Sequence, residues 1–233
     1  TDPRSFGEPA KVDMPKVFPI IDQLFVSPSD NPEAVEVMRG PNIKPLPRGR
    51  AMPEILEGEV LICLGHDITT DDIMPAGAHI MSLRSNIPAI SEYVLSHQDP
   101  GFAKRAKDKD GGFIVAGKNY GQGSSREHAA LAPMVLGVKG VIACSFARIH
   151  RANLINFGIL PMTFMTDDEF EQIQQGDQLI IEDVARSLKN DRTLRVLNTT
   201  RANSFEVRID LDRREKDVVM AGGLLRFLRQ RSP

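Results

Sequence analysis

The sequence predicts an α/β domain with a parallel core sheet, preceded by an extended, proline-rich connector. Two observations predict this fold class. Apolar strand-like runs alternate with helical segments between residues 112 and 164, an order typical of right-handed crossovers and parallel sheets. Ten of the 16 prolines lie within residues 1–57, where each removes a backbone donor and disfavours helix. We therefore divide the chain into a connector at residues 1–57 and a domain at residues 58–233.

The connector and the first half of the domain follow from local patterns. Apolar groups at 17–20 and 24–26 favour a connector that lies on another surface, and a proline begins one short helix near residues 32–38. The apolar run 60–64 predicts a buried strand, and the pattern at 87–97 predicts a helix. The parallel strands are predicted at 112–117, 138–143 and 159–164.

The helices between these strands and the last part of the chain are predicted in the same way. One helix begins at Ser124 or Ser125, and another spans residues 147–157 and ends at Gly158. Strands of a more antiparallel layer are predicted at 177–182, 193–197 and 204–211. A terminal amphipathic helix is predicted at 217–230.

Composition excludes several classes of protein. The 233 residues carry 29 Lys and Arg against 31 Asp and Glu, and this balance argues against a broad grip on nucleic acid. The best basic patch, at 104–109, is interrupted by Asp108 and followed by Asp110. No apolar run reaches the roughly 18–20 residues that a membrane helix needs. Two cysteines and the lack of an apolar leader suit a reducing compartment, so we expect a cytoplasmic protein without membrane contact.

The glycine-rich stretch 117–128 is the first candidate site. Ser124 and Glu127 fit an S-x-x-E capping box, so Ser124 is the predicted N-cap of a helix whose first N–H groups would attract anions. Arg126 adds a planar guanidinium that suits carboxylates. Two interpretations remain open: Ser124 caps a helix after a flexible turn and does nothing more, or Ser125 and Arg126 form a carboxylate-binding mouth. The spacing matches neither a P-loop nor a hydrolase nucleophile elbow.

The polar loop at 67–72, followed by Arg84, is the second candidate site. Loops at strand ends are where α/β proteins place their sites. The alternative is an Asx-rich turn in which Asp67 and Thr70 bond to nearby backbone. The five histidines show no zinc-like spacing, and His128 is expected to orient the serine turn. The two cysteines are interpreted as small buried hydrophobic residues.

Three stretches, in order, resemble the C-terminal swivel domain of the aconitase family. They are DITTDDIMPAG at Asp67–Gly77, GKNYGQGSSREHAA at Gly117–Ala130 and SFARIHRANLINFGILPMTF at Ser145–Phe164. The resemblance is strong over about residues 58–165 and weak from there to the C-terminus. It implies a three-layer β/β/α swivel domain.

The resemblance also implies a hydro-lyase that interconverts citrate and isocitrate through cis-aconitate. By motif position, Ser125 would be the catalytic base and Asp71 a second catalytic residue, while Ser124, Arg126 and Arg84 would bind the substrate. Homoaconitase, 2-methylaconitate hydratase and isopropylmalate isomerase share the serine turn and are alternative functions. A cluster-free RNA-binding or structural module is a further alternative. Arg84 favours a tricarboxylate, whereas an isopropylmalate enzyme is expected to offer an apolar contact.

The 4Fe–4S cluster of the family is expected on domains that this chain lacks. Cys63 and Cys144 are too few for a cluster, which usually takes three or four thiolates. We therefore expect this chain to bind no metal and to be inactive alone. The expected partners are cluster-bearing N-terminal domains of the same enzyme or a large subunit. The missing initiator Met and the proline-rich start favour the first of these.

Overall fold

The computed structural model of the chain describes residues 2–7 and 13–231, with Pro3 and Arg4 described by backbone alone. The parts of the predicted connector at residues 1 and 8–12 lie outside the described residues. The chain divides into two units, Thr1–Met38 and Arg39–Pro233. The predicted boundary between residues 57 and 58 stays a prediction.

The first unit contains short 3₁₀ turns at Pro3–Phe6, Asp22–Leu24 and Pro32–Ala34 in its described part. The last of these lies where a short helix was predicted. All side chains from residue 13 to 38 are exposed, including Phe18 and Phe25, which are 66% and 81% exposed.

Seven strands form one closed sheet within the described residues, in the order β1–β2–β3–β4–β7–β6–β5. The strands are β1 (Leu56–Leu64), β2 (Gly112–Ala116), β3 (Val138–Ala143), β4 (Leu160–Phe164), β5 (Gln178–Ile181), β6 (Thr193–Asn198) and β7 (Asn203–Arg208). β1 to β4 run parallel, and every other neighbouring pair is antiparallel. The predicted mixed α/β class and its parallel core are therefore confirmed.

The expected arrangement of three layers differs from this sheet. β5 pairs with β1, and β7 pairs with β4, so the antiparallel strands close the parallel sheet on itself. The two β layers expected from the sequence are two parts of one closed sheet. The reason is that both edges of the parallel group find hydrogen-bonding partners among the later strands, which removes exposed edges.

Helices lie between and after the strands. They are α1 (Thr70–Ile73), α2 (Ala78–Met81), α3 (Ile87–Ile90), α4 (Phe102–Asp108), α5 (His128–Val135), α6 (Arg148–Asn156), α7 (Val184–Asn190), α8 (Arg213–Ala221) and α9 (Leu224–Arg231). The single helix predicted at 87–97 is α3 followed by a 3₁₀ turn at Ser91–Tyr93. The predicted terminal helix is α8 and α9, separated because Gly222 adopts a left-handed φ of 85° and ends α8. No helix in the described ranges combines the length and apolar character needed to cross a membrane.

Two apolar clusters cover the two faces of the sheet. One packs α3, α4 and α5 against Leu61, Ile114 and Val141. The other contains Phe113 and Ile142, which point to the opposite face of the same strands. Burying both faces of β1 to β3 fixes the strand ends from which the candidate site loops emerge.

Candidate active site

The candidate site is formed by the loops that follow β1 and β2. Adjacent parallel strands place these loops side by side at their carboxyl ends. The Asp67 N–H donates to the Lys118 carbonyl at 2.8 Å, and the Thr70 N–H donates to the Gln122 carbonyl at 2.8 Å. Two stretches that the sequence separates by about fifty residues are therefore joined by backbone hydrogen bonds.

A capping box shapes the first loop. The Asp72 N–H donates to the Thr69 hydroxyl at 3.0 Å, and the Thr69 N–H donates to the Asp72 carboxylate at 2.8 Å. The Thr69 hydroxyl also donates to this carboxylate, and that bond is the largest cause of the lowered pKa of Asp72. Because Asp72 turns back to cap α1, its neighbour Asp71 is left pointing into solvent with a side chain 58% exposed.

Asp71 and Arg126 form the direct contact between the two loops. Arg126 Nη1 lies 2.5 Å from Asp71 Oδ1 and also donates to the Met74 carbonyl at 3.4 Å. The Arg126 side chain is 28% exposed, so one side of the guanidinium is held while the other faces solvent. The structure thus places together two residues that were predicted from separate motifs.

Ser124 and Ser125 lie in an exposed turn before α5, not at a helix start. The prediction of Ser124 as N-cap is wrong, because α5 begins at His128 and Glu127 occupies the cap position. The Ser124 carbonyl accepts from the Thr70 hydroxyl at 3.1 Å and from the Arg126 N–H at 2.9 Å, so it bonds to the first loop and to its own turn, not to a helix.

The serine turn nevertheless keeps donors for an anion. The backbone N–H groups of Gly123, Ser124 and Ser125 have no hydrogen-bond partner among the described residues, and neither have the two serine hydroxyls. Successive unpaired N–H groups in a turn form a concave anion site. The serine turn therefore offers unpaired N–H donors where the sequence predicts a helix N-terminus.

Among the described residues, Arg84 is linked to α5 through its backbone carbonyl, and no hydrogen bond joins its side chain to the serine turn. His128 Nε2 lies 2.8 Å from the Arg84 carbonyl, which accepts a hydrogen bond from the Nε2–H tautomer. The Arg84 guanidinium is exposed and has no partner among the described residues. His128, expected to orient the serine turn, is the link between α5 and the chain around Arg84.

The contacts of three further residues at the site were not predicted from the sequence. Asn119 Nδ2 donates to Asp67 Oδ1 at 3.0 Å and to Gln122 Oε1 at 2.9 Å, and Gln122 Nε2 donates to the Asp67 carbonyl at 3.0 Å. Thr70 bonds to a carbonyl 54 residues away, not to nearby backbone as the Asx-turn interpretation requires. Only Asn119 carried a local signal, because asparagine is enriched at the left-handed φ that this residue adopts, 58°.

The described residues do not fit an iron–sulfur cluster. No three His, Cys, Asp or Glu side chains among them lie close enough together to hold a metal ion. Cys63 and Cys144 are half-buried, less than expected. Burial raises the pKa of Cys63 to about 11 and raises the pKa of Cys144, which disfavours the thiolate that binds iron.

Comparisons with known proteins show the family to which the chain belongs. The family model of the aconitase C-terminal domain matches residues 91–167, which include the serine turn. The 3-isopropylmalate dehydratase small subunit 2 of Archaeoglobus fulgidus is 46% identical over 129 residues, covering 55% of this chain and 73% of that protein. The chain belongs to the aconitase C-terminal domain family, and the predicted family is confirmed.

Two further similarities are to proteins named as a dehydratase and a hydratase. A crystal structure of 3-isopropylmalate dehydratase from Methanocaldococcus jannaschii has a TM-score of 0.63 at 31% identity, covering 76% of this chain and 95% of that one. A probable mitochondrial aconitate hydratase of Dictyostelium discoideum is 35% identical, covering 66% of this chain and 23% of that protein. These names favour the isopropylmalate alternative over the citrate reaction.

Proposed function

We propose that this chain is the component of an aconitase-type hydro-lyase that supplies the base and part of the carboxylate-binding site. The observation that carries the proposal is the Arg126–Asp71 contact beside the open turn at Ser124 and Ser125. It places a cation, a carboxylate and two unpaired hydroxyls at one strand-end site.

Each group has a part in moving water across a carbon–carbon double bond. Arg126 and the unpaired N–H groups of the turn bind a substrate carboxylate. Ser125 removes the proton from the carbon beside that carboxylate, and Ser124 contacts the substrate next to it. A serine hydroxyl is far from the pKa of an efficient base, so its alkoxide needs preorganised donors. Asp71 orients Arg126 and takes part in the polar network that carries the proton.

The other half of the site belongs to a partner. Loss of hydroxide from the substrate needs an electrophile, and the 4Fe–4S cluster of the family supplies Lewis-acid chemistry when bound. We place that cluster on N-terminal domains of the same enzyme or on a large subunit, and we expect this chain to be inactive alone. We retain the cytoplasm as the compartment.

Two substrate classes compete for this site. The small-subunit relatives favour 3-isopropylmalate as the first substrate to test. The exposed, unpaired guanidinium of Arg84 favours citrate, because a third carboxylate gives this cation a partner. Homocitrate and methylcitrate are also tricarboxylates, so Arg84 favours the homoaconitate and methylaconitate reactions for the same reason as the citrate reaction.

The test uses the complete enzyme, prepared without oxygen and with its cluster restored. Turnover is followed by ultraviolet absorbance of the unsaturated acid, from 3-isopropylmalate, citrate, homocitrate and methylcitrate. We expect Ser125→Ala to lower kcat by about 1000-fold or more with little change in KM, since a base acts in the transition state. Ser204→Ala, on the exposed side of β7, is the matched control and keeps wild-type turnover.

The outcomes separate the assignments. Loss confined to Ser124→Ala would move the base by one residue, and near-normal turnover in both serine variants would reject a serine base. The substrate with the highest kcat/KM decides between isopropylmalate and citrate. A cluster-loaded wild type that turns over none of the four acids would refute the proposed function.

A further inference from the structure

His150 is a buried side chain that the proposed chemistry does not use. It lies in the first turn of α6 and is 1% exposed. Neither Nδ1 nor Nε2 has a hydrogen-bond partner among the described residues. Burying unpaired polar atoms is unfavourable, and an apolar residue would avoid that cost. The interactions that this side chain makes among the described residues are therefore contacts of its ring atoms.

The ring lies directly beneath the start of the serine turn. A Cβ atom added to Gly121 would lie 2.2 Å from both Cγ and Cδ2 of His150. Gly121 also has a φ of 83°, a backbone conformation that residues other than glycine rarely adopt. The ring of the fully buried Tyr120 meets the imidazole edge-on at 5.2 Å between centroids. The flat imidazole thus contacts two successive residues of the loop.

Gly121 is also fixed from the opposite side. Its N–H donates to the Ile68 carbonyl at 2.7 Å, and the next residue, Gln122, accepts from the Thr70 N–H at 2.8 Å. The loop is therefore clamped between the imidazole and the β1 loop, and Ser124 follows two residues later. A shift of Gly121 would move the serine turn relative to Asp71.

We propose that His150 is a positioning residue. The flat face of its ring packs against Gly121 and so fixes the position of the serine turn relative to Asp71. It touches no substrate. Its effect on turnover rests on the proposed function, while its effect on the loop does not. Because the ring nitrogens make no hydrogen bonds, the shape of the ring carries the role. Phenylalanine, which keeps the planar atoms next to Gly121, is therefore the conservative replacement, and leucine removes the flat surface.

The first measurement is steady-state kinetics of the complete enzyme. Misplacing reacting groups by about 1 Å costs up to about 100-fold in rate. We expect His150→Leu to lower kcat by about 10- to 100-fold with KM within about threefold, and His150→Phe to keep kcat within about threefold of wild type. Leu154→Ala is the matched control. It removes a buried side chain one turn further along α6, lowers stability and keeps kcat.

The second measurement is amide hydrogen exchange of this chain, which tests the positioning even if the proposed function fails. We expect exchange at the hydrogen-bonded amides of Tyr120, Gly121 and Thr70 to be at least about tenfold faster in His150→Leu and near wild type in His150→Phe and Leu154→Ala. Unchanged exchange in His150→Leu would overturn the proposal. The proposal would also be overturned if His150→Phe lowered kcat as much as His150→Leu does. A drop in kcat in Leu154→Ala as large as that in His150→Leu would overturn it too, because loss of stability alone would then explain the effect. Absence of wild-type turnover would refute the proposed function. The exchange result would then decide whether His150 positions the serine turn.

Discussion

At the scale of single residues, His150 makes stability sensitive to acid. Burial lowers its pKa from 6.5 to about 4, so the folded chain holds it neutral while the unfolded chain protonates it below pH 6.5. The unfolded state then binds more protons than the folded state, and stability falls as pH drops from about 6.5 to about 4. A shift of this size corresponds to roughly 3 kcal/mol.

His150→Phe removes this titration and keeps a planar aromatic ring at the same position. We expect urea unfolding at pH 7 and at pH 4.5 to show that the wild type loses about 2 kcal/mol more than the variant over this interval. The other four histidines are common to both proteins, so the difference isolates His150. Equal losses in the two proteins would show that His150 is protonated in the folded state at the lower pH.

At the scale of elements, patterns within a strand could be predicted from the sequence, while contacts between distant loops could not. The run 60–64 is apolar along its length and 138–143 is apolar apart from Lys139 and Gly140, so their burial in β1 and β3 follows from composition. The capping motif at Ser124 failed, and the Ser124 carbonyl instead accepts from the Thr70 hydroxyl of the other loop and from the Arg126 N–H. A local motif competes with long-range hydrogen bonds that no spacing in the sequence reveals.

The same contrast explains what could be foreseen of the candidate site. Ser124, Ser125 and Arg126 stand in one motif and were recognised together. Asn119 and Gln122 support that motif through Asp67, which lies in the other loop. Their role depends on the parallel pairing of β1 and β2, a tertiary feature, and so it became visible once the two loops were side by side.

Also at this scale, the turn before β2 depends on a close approach of two backbones. Gly111 has a φ of 82°, and a Cβ added to it would lie 1.9 Å from the Gly137 carbonyl oxygen. We expect Gly111→Ala to destabilise the chain by about 3 kcal/mol or more, from left-handed strain and a backbone clash together. Gly176→Ala is the matched control, since Gly176 has a φ of 94° with nothing within 4 Å. It should cost about 1–2 kcal/mol in urea unfolding; equal losses would remove the clash from the explanation.

At the scale of the whole molecule, Asp177 holds the strands that close the sheet. Its carboxylate accepts from Arg201 Nε at 2.7 Å, from Asn198 Nδ2 at 2.8 Å and from the Gln174 N–H at 3.0 Å. Its carbonyl accepts from the Val60 N–H of β1 at 2.8 Å. Asn198 ends β6 and Arg201 follows it, so one buried residue ties β1, β5 and β6 together. Burial would raise the pKa of Asp177, but the hydrogen bonds and Arg201 lower it overall.

Removing this carboxylate should weaken the closure of the sheet and, through β1, the support of the Asp71 loop. We expect Asp177→Ala to cost about 3–5 kcal/mol, because Arg201 and Asn198 are left without their acceptor. Since the pKa is lowered by folding, the contribution is complete above pH 4 and is lost as pH falls through the folded value. The control is Asp212→Ala, which removes the N-cap of α8 and should cost about 1 kcal/mol. If urea unfolding gives equal losses for the two variants, Asp177 is a cap of its own turn, and closure of the sheet depends on the β-ladder hydrogen bonds and the buried apolar cluster.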